Sequence, residues 1–258
     1  MITPAMIACG KRYVEMLPIS VGSFLRHHDC MLHVIADDDG KHALKQFESK
    51  NLLVADIVSP TAVAKSMVKH RDFLTIDCYN DGKHDRTYSA LKPVIINEVV
   101  KQHAPGTKYV LSLDVDTLFT GDIITRALKY LDSVNHKFDL YLVERIDPRM
   151  SRTGAKTPGS GFTLWRNKGP FIKSFIGSFR HTCVGKAGGS QDLINDLFGH
   201  LSSNSIPDPL LHFVSPDLVK PNPLSDKQIL KLKPAYIHLH GAKSFERLKK
   251  FNKLFHGE

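Results

Sequence analysis

Short apolar runs and amphipathic stretches alternate along the chain from its start. Residues 5–9 (AMIAC) predict a brief buried strand closed by Gly10, and 13–28 (YVEMLPISVGSFLRHH) predicts a helix despite Pro18 and Gly22. The stretch 31–40 (MLHVIADDDG) predicts a second strand running into an acidic turn, 41–50 a helix, and 52–58 (LLVADIV) a third strand. This strand–helix alternation implies a parallel sheet with crossover helices. Residues 60–88 are polar and read as irregular surface structure. In 92–103 (KPVIINEVVKQH), Ile95, Ile96, Val99 and Val100 share one helical face, and Pro93 suits a first turn. After the break APGT, the run KYVLSL predicts a strand with Asp114 and Asp116 at its carboxyl end.

Further along, 138–144 (FDLYLVE) and 162–167 (FTLWRN) read as strands, separated by a turn-rich loop over 147–161. Helical period returns in 170–179 and in QDLINDLFGHL, with a Gly-rich loop at 185–190 between them. The segment 234–243 (PAYIHLHGAK) predicts a strand with alternate residues facing outward. No repeat, low-complexity tract or linker interrupts the pattern. The expectation is a single α/β domain over 1–258, with a mostly parallel central sheet flanked by helices and 244–258 a basic amphipathic C-terminal helix.

Composition narrows the classes. The 258 residues are 42% hydrophobic and 24% charged, as in an ordinary globular domain. No run of about 18 uncharged apolar residues exists, so no membrane-spanning helix is expected. No basic region precedes an apolar one at the N-terminus, so no signal peptide is expected either. The cysteines Cys9, Cys30, Cys78 and Cys183 form no CxxC pair. A reducing, cytoplasmic setting is therefore expected. The net charge of +9 suits a polyanionic partner: nucleic acid, an anionic membrane or a phosphorylated small molecule. An ordinary solvated surface would also carry such a charge. In the tail, Lys243, Arg247, Lys249, Lys250 and Lys253 oppose only Glu246 and Glu258, while Phe245, Leu248, Phe251, Leu254 and Phe255 recur at helical spacing. Such a helix can lie on an anionic bilayer as a peripheral contact, or pack back onto its own domain.

The stretch 107–122 (TKYVLSLDVDTLFTGD) carries the main chemical signal. Carboxylates inside a strand of a parallel sheet are costly, but the carboxyl edge of such a sheet opens on the crevice where ligands bind. Residues two apart in extended chain point the same way. Asp114 and Asp116 could thus converge on one hard cation such as Mg²⁺ or Mn²⁺, or divide between metal and a ligand hydroxyl, or simply cap a turn. Asp37 or Asp38, ending a neighbouring strand, could touch a nucleotide. GAKTPGSG lacks the G-K-[ST] ending of a phosphate loop and is set aside.

With these motifs the sequence resembles the GT-A glycosyltransferases. Within them it is most similar to glycosyltransferase family 8, the group that includes glycogenin and bacterial lipopolysaccharide galactosyltransferases. MIACGKRYVEMLPISVGSFLRHH resembles the family's opening strand and helix, and YVLSLDVDTLFTGDI its DxD strand. GSGFTLWRN resembles its N-S-G strand, with Gly159 and Ser160 in place of Asn-Ser. SQDLINDLF resembles its D-Q-D helix with Ser190 replacing the first acid, and IHLHGAK its H-x-x-G-x-x-K motif with the lysine one residue early.

The resemblance implies a GT-A, Rossmann-like nucleotide-sugar-binding fold. It implies a metal-dependent, retaining hexosyltransferase-like enzyme that moves a sugar from a UDP-sugar to a saccharide or lipid-linked acceptor hydroxyl. Asp114, Val115 and Asp116 would lie at the donor. Asp114, Asp116 and His238 would hold Mn²⁺ or Mg²⁺, with His240 as the alternative imidazole. Tyr13 would lie near the base. Lys92 would contact the donor, and Gly241 and Lys243 the diphosphate. Ser160 and Gly161 would approach the donor sugar or the acceptor with little bulk; Gln191 and Asp192 would face the sugar pocket, and one of them would bind sugar hydroxyls and stabilise the cationic transition state. Three alternatives share the architecture: a glycosyltransferase with DNA as acceptor, a sugar nucleotidyltransferase, and a non-catalytic nucleotide-sugar-binding protein.

Overall fold

The structure is a computed structural model, and it describes residues 1–47, 50–56, 87–146, 156–182, 190–207, 213–214, 226–239 and 244–257. Seven strands form the main sheet in the order β3-β2-β1-β4-β7-β6-β8. They are β1 (Ile2–Ala8), β2 (Leu32–Ala36), β3 (Leu52–Asp56), β4 (Tyr109–Leu113), β6 (Leu140–Ile146), β7 (Lys156–Arg166) and β8 (Ser203–Ile206). All run parallel except β7, which is antiparallel to both β4 and β6. A second sheet joins β5 (Thr117–Phe119), β10 (Tyr236–His238) and β9 (Phe213–Val214) in the order β5-β10-β9.

Each face of the main sheet buries its own core, because successive strand residues point to opposite sides. Met6, Val34, Leu111 and Leu113 pack with α1 (Lys11–His27), α4 (Ile123–Ser133) and α8 (Ser244–His256). Ala5, Ile35, Val110, Leu142 and Trp165 pack with α3 (Thr87–His103), α5 (Phe171–Thr182) and α6 (Ser190–His200). Two short helices, α2 (Asp38–Leu44) and α7 (Asp226–Leu232), complete the described set. None of the described helices is long and apolar enough to cross a membrane.

Several expectations change. β1 begins at Ile2 and runs through Pro4, which lies opposite Leu111 in a central strand. α3 begins at Thr87, so Pro93 lies in the helix interior rather than in its first turn. β7 begins at Lys156, inside the expected loop. β10 does not alternate. Tyr236, Ile237 and His238 are all buried, because β10 lies between β5 and β9 and core covers it. The irregular segment expected over 60–88 and the Gly-rich loop at 185–190 fall almost entirely outside the described residues. The C-terminal helix packs back, with Leu248 and Phe251 buried in the core shared with α1. His256 Nε2 lies 3.0 Å from the Phe119 carbonyl oxygen.

Candidate active site

β4 delivers Asp114 at its carboxyl end, and the chain then leaves the main sheet. After Asp116 it enters β5, whose Thr117 pairs with His238 of β10 in antiparallel register. The Leu239 N–H donates to the Asp116 carbonyl at 2.8 Å. This pairing carries a histidine from far along the chain to the aspartates. His238 Nε2 lies 2.9 Å from Asp116 Oδ1 and 3.2 Å from Asp114 Oδ2. The three side chains offer ligand atoms all within 4.8 Å of one another. His238 is fully enclosed, and the two carboxylates are partly open.

Two further residues shape this cluster. Lys92 reaches in from α3, itself buried, and its ammonium donates to the Leu113 carbonyl at 3.1 Å and to Asp114 Oδ1. Gly161 comes from a break in the β6–β7 ladder. Leu142 pairs with Thr163 but Val143 pairs with Gly159, so residues 160–162 have no partner in β6. Such bulges re-aim strands beside functional sites. Here the Gly161 carbonyl accepts the Asp114 N–H at 3.2 Å. A Cβ at position 161 would stand 2.3 Å from the His238 ring and 3.1 Å from Asp114 Oδ2. The missing side chain therefore makes room for the imidazole itself.

Burial opposes ionisation of Asp114, but the ammonium of Lys92 and the imidazole of His238 close by outweigh it. They hold its carboxyl far below the usual carboxylate range. Burial likewise disfavours a charged His238, yet Asp116 and Asp114 push the imidazole up to about 9. At neutral pH His238 is thus an imidazolium facing the two carboxylates.

The other expected site residues lie outside this cluster or outside the described residues. Tyr13 stands exposed in the first turn of α1, at the edge where β1 ends. Asp37 caps α2: Oδ1 accepts the Gly40 N–H at 2.9 Å and Oδ2 the Gly10 N–H at 2.8 Å. That carboxylate ties the β1–α1 turn to α2, and Gly10 supplies the left-handed backbone the turn needs, at φ 84°. Val115 points into the core at 3% exposure, so its side chain faces away from the carboxylates. Ser160 lies in the bulged part of β7, and Gln191 and Asp192 in the first turn of α6. Gly241, Lys243 and the alternative His240 lie outside the described residues. The bond of Lys92 to Asp114 was not foreseen, and only its sequence position just before an apolar helix face hinted that its stem would be buried. The Gly10–Asp37 bond was also missed, though a glycine directly after a strand was a legible cue.

The sheet order with one reversed strand, and a DxD pair at its carboxyl edge met by a histidine from a second small sheet, define the GT-A fold. Solved structures share it. A galactosyltransferase LgtC in complex with donor and acceptor sugar analogs matches with a TM-score of 0.61, covering 99% of this chain and 96% of that one at 15% identity. Mouse xyloside xylosyltransferase 1 in its apo form matches at 0.60, with 92% and 97% covered at 10% identity. A glycosyltransferase involved in glycosylation of the major capsid of PBCV-1 matches at 0.53, with 97% and 98% covered at 9% identity. No protein-family model matches the sequence, and no curated protein matches it significantly.

Proposed function

We propose that this chain is a metal-dependent glycosyltransferase that moves a sugar from a nucleotide diphosphate sugar, a UDP-sugar, to a hydroxyl of a saccharide or lipid-linked acceptor. The observation that carries the reading is the convergence of Asp114, Asp116 and His238 on one point at the carboxyl edge of a GT-A sheet. Two carboxylates and an imidazole nitrogen, this close together and partly open to a ligand, fit Mn²⁺ or Mg²⁺. Such a cation, when bound, neutralises charge that builds on the departing diphosphate.

The chain's own residues do the rest. Asp114 stays ionised because Lys92 stands beside it. His238 gives up its proton when it becomes a ligand. Gly161 keeps position 161 clear for the imidazole. Tyr13 covers the base, and Gly241 and Lys243 hold the diphosphate. Ser160 lines the sugar pocket. Gln191 and Asp192, at the start of α6, hold sugar hydroxyls and oppose the positive charge that develops at the anomeric carbon, with retention of configuration. The protein works in the cytoplasm as a single domain over 1–258. Its C-terminal helix uses Leu248 and Phe251 for packing, which leaves peripheral membrane contact to the exposed Lys249, Lys250 and Lys253.

Thermal unfolding with UDP-, GDP-, CDP- and dTDP-sugars, with and without Mn²⁺, tests the reading. A ligand at about 100 times its Kd adds roughly 2.7 kcal/mol, which raises the Tm of a protein this size by a few degrees. The expected result is a shift that needs both a UDP-sugar and Mn²⁺ and is lost in Asp116→Ala. A shift independent of the metal, or none with any donor, contradicts it.

A further inference from the structure

The Lys92 ammonium is bonded at two points of rigid geometry: the Leu113 carbonyl, inside the β4 ladder, and Oδ1 of the next residue, Asp114. The two oxygens of Asp114 thereby acquire different environments. Oδ1 faces a buried cation carried by α3. Oδ2 faces His238 Nε2 at 3.2 Å and lies against Gly161. Oδ2 is thus the Asp114 oxygen placed at the imidazole that Asp116 also meets.

We propose that Lys92 is a positioning residue that sets metal selectivity. By occupying Oδ1 it leaves Asp114 one oxygen for a cation, which favours a small octahedral ion over a large one. This rests on the metal-dependent reading above. Ca²⁺ takes six to eight oxygens and readily uses both oxygens of a carboxylate, whereas Mg²⁺ demands six ligands in near-ideal octahedral geometry. Mn²⁺ shares the oxygen-rich octahedral preference. With a divalent ion bound and His238 neutral, the charge of Lys92 also leaves the four side chains and the ion net positive by one. That suits a site receiving a diphosphate. The plainer alternative is a buried ion pair that only fastens α3 to β4.

Competition between Mn²⁺ and Ca²⁺, read from the electron paramagnetic resonance of free Mn²⁺, separates the two. Lys92→Met keeps the buried stem and removes the charge. Outer-shell partners of ligands typically govern affinity by roughly 10- to 100-fold. Removing the ammonium lifts a repulsion that acts on both ions alike, so the proposal is read in the ratio: Lys92→Met should narrow the preference for Mn²⁺ over Ca²⁺ by about tenfold. An unchanged ratio in a folded variant, whether both affinities rise or fall together, overturns the proposal. If Lys92→Met does not fold, a crystal of the unaltered protein soaked in Mn²⁺ decides. Asp114 should engage through Oδ2 with Lys92 still on Oδ1, and a bidentate Asp114 or a withdrawn Lys92 overturns the assignment. Failure of the unaltered protein to bind Mn²⁺ at all would instead sink the metal reading itself.

Discussion

One methyl group at position 161 would enter the space that His238 fills. At 2.3 Å from two ring atoms, the Cβ of Gly161→Ala forces the imidazole or the β7 bulge to move. Overpacking of this kind typically costs about 1–3 kcal/mol. The variant should unfold at lower denaturant and lose Mn²⁺ binding more severely than it loses stability. Unchanged Mn²⁺ affinity would show that the imidazole does not need this space. The sequence marked Gly161 through its place in GSGFTLW, but not its reason. No local pattern says that a ring from β10 will lie on that glycine. Asp37 illustrates the opposite case. An acid at a strand end was expected to touch a nucleotide, and in the structure its two oxygens each accept a backbone N–H, a second role that the expectation did not include. A cap and a ligand contact use the same residue type at the same kind of position, so sequence could not separate them.

Elements place these residues by pairing that spans long chain separations. β5 is only three residues long, yet its pairing with β10 fixes how His238 meets the aspartates. A three-residue strand gives almost no periodic signal, and β8 and β9 went unread for the same reason. Burial on both faces also erased the alternation expected in β10. Long, strongly periodic elements were legible: α1, the strand before the DxD pair, α5, α6 and the C-terminal helix all lie where apolar spacing put them. α8 braces the region by packing on the core that holds β5. Phe251 is 2% exposed, so Phe251→Ala should cost about 3–5 kcal/mol in a urea titration. A cost below about 1 kcal/mol would mean that α8 is undocked in solution and its apolar face free for another surface.

At the scale of the whole molecule, the parallel strands β1, β2 and β4 end on one edge, and that edge collects Tyr13, Asp37, Lys92 and the two aspartates. Strand–helix alternation predicted such an edge before any coordinate was known, because parallel neighbours need crossovers and crossovers leave one edge open. The reversed β7, which brings Gly161 to Asp114, was not legible, since apolar strands carry no mark of direction. The central claim is that Asp114, Asp116 and His238 together grip one divalent cation. Mn²⁺ titration of the unaltered protein and of His238→Gln, followed by electron paramagnetic resonance at pH 6 and pH 8, tests it most directly. His238 is protonated up to about 9 in the metal-free protein, so Mn²⁺ must displace a proton and should bind more tightly at pH 8 than at pH 6. The account predicts one site in the unaltered protein with that pH trend, and its loss in His238→Gln. Equal Mn²⁺ affinity in the two proteins at both pH values would contradict it.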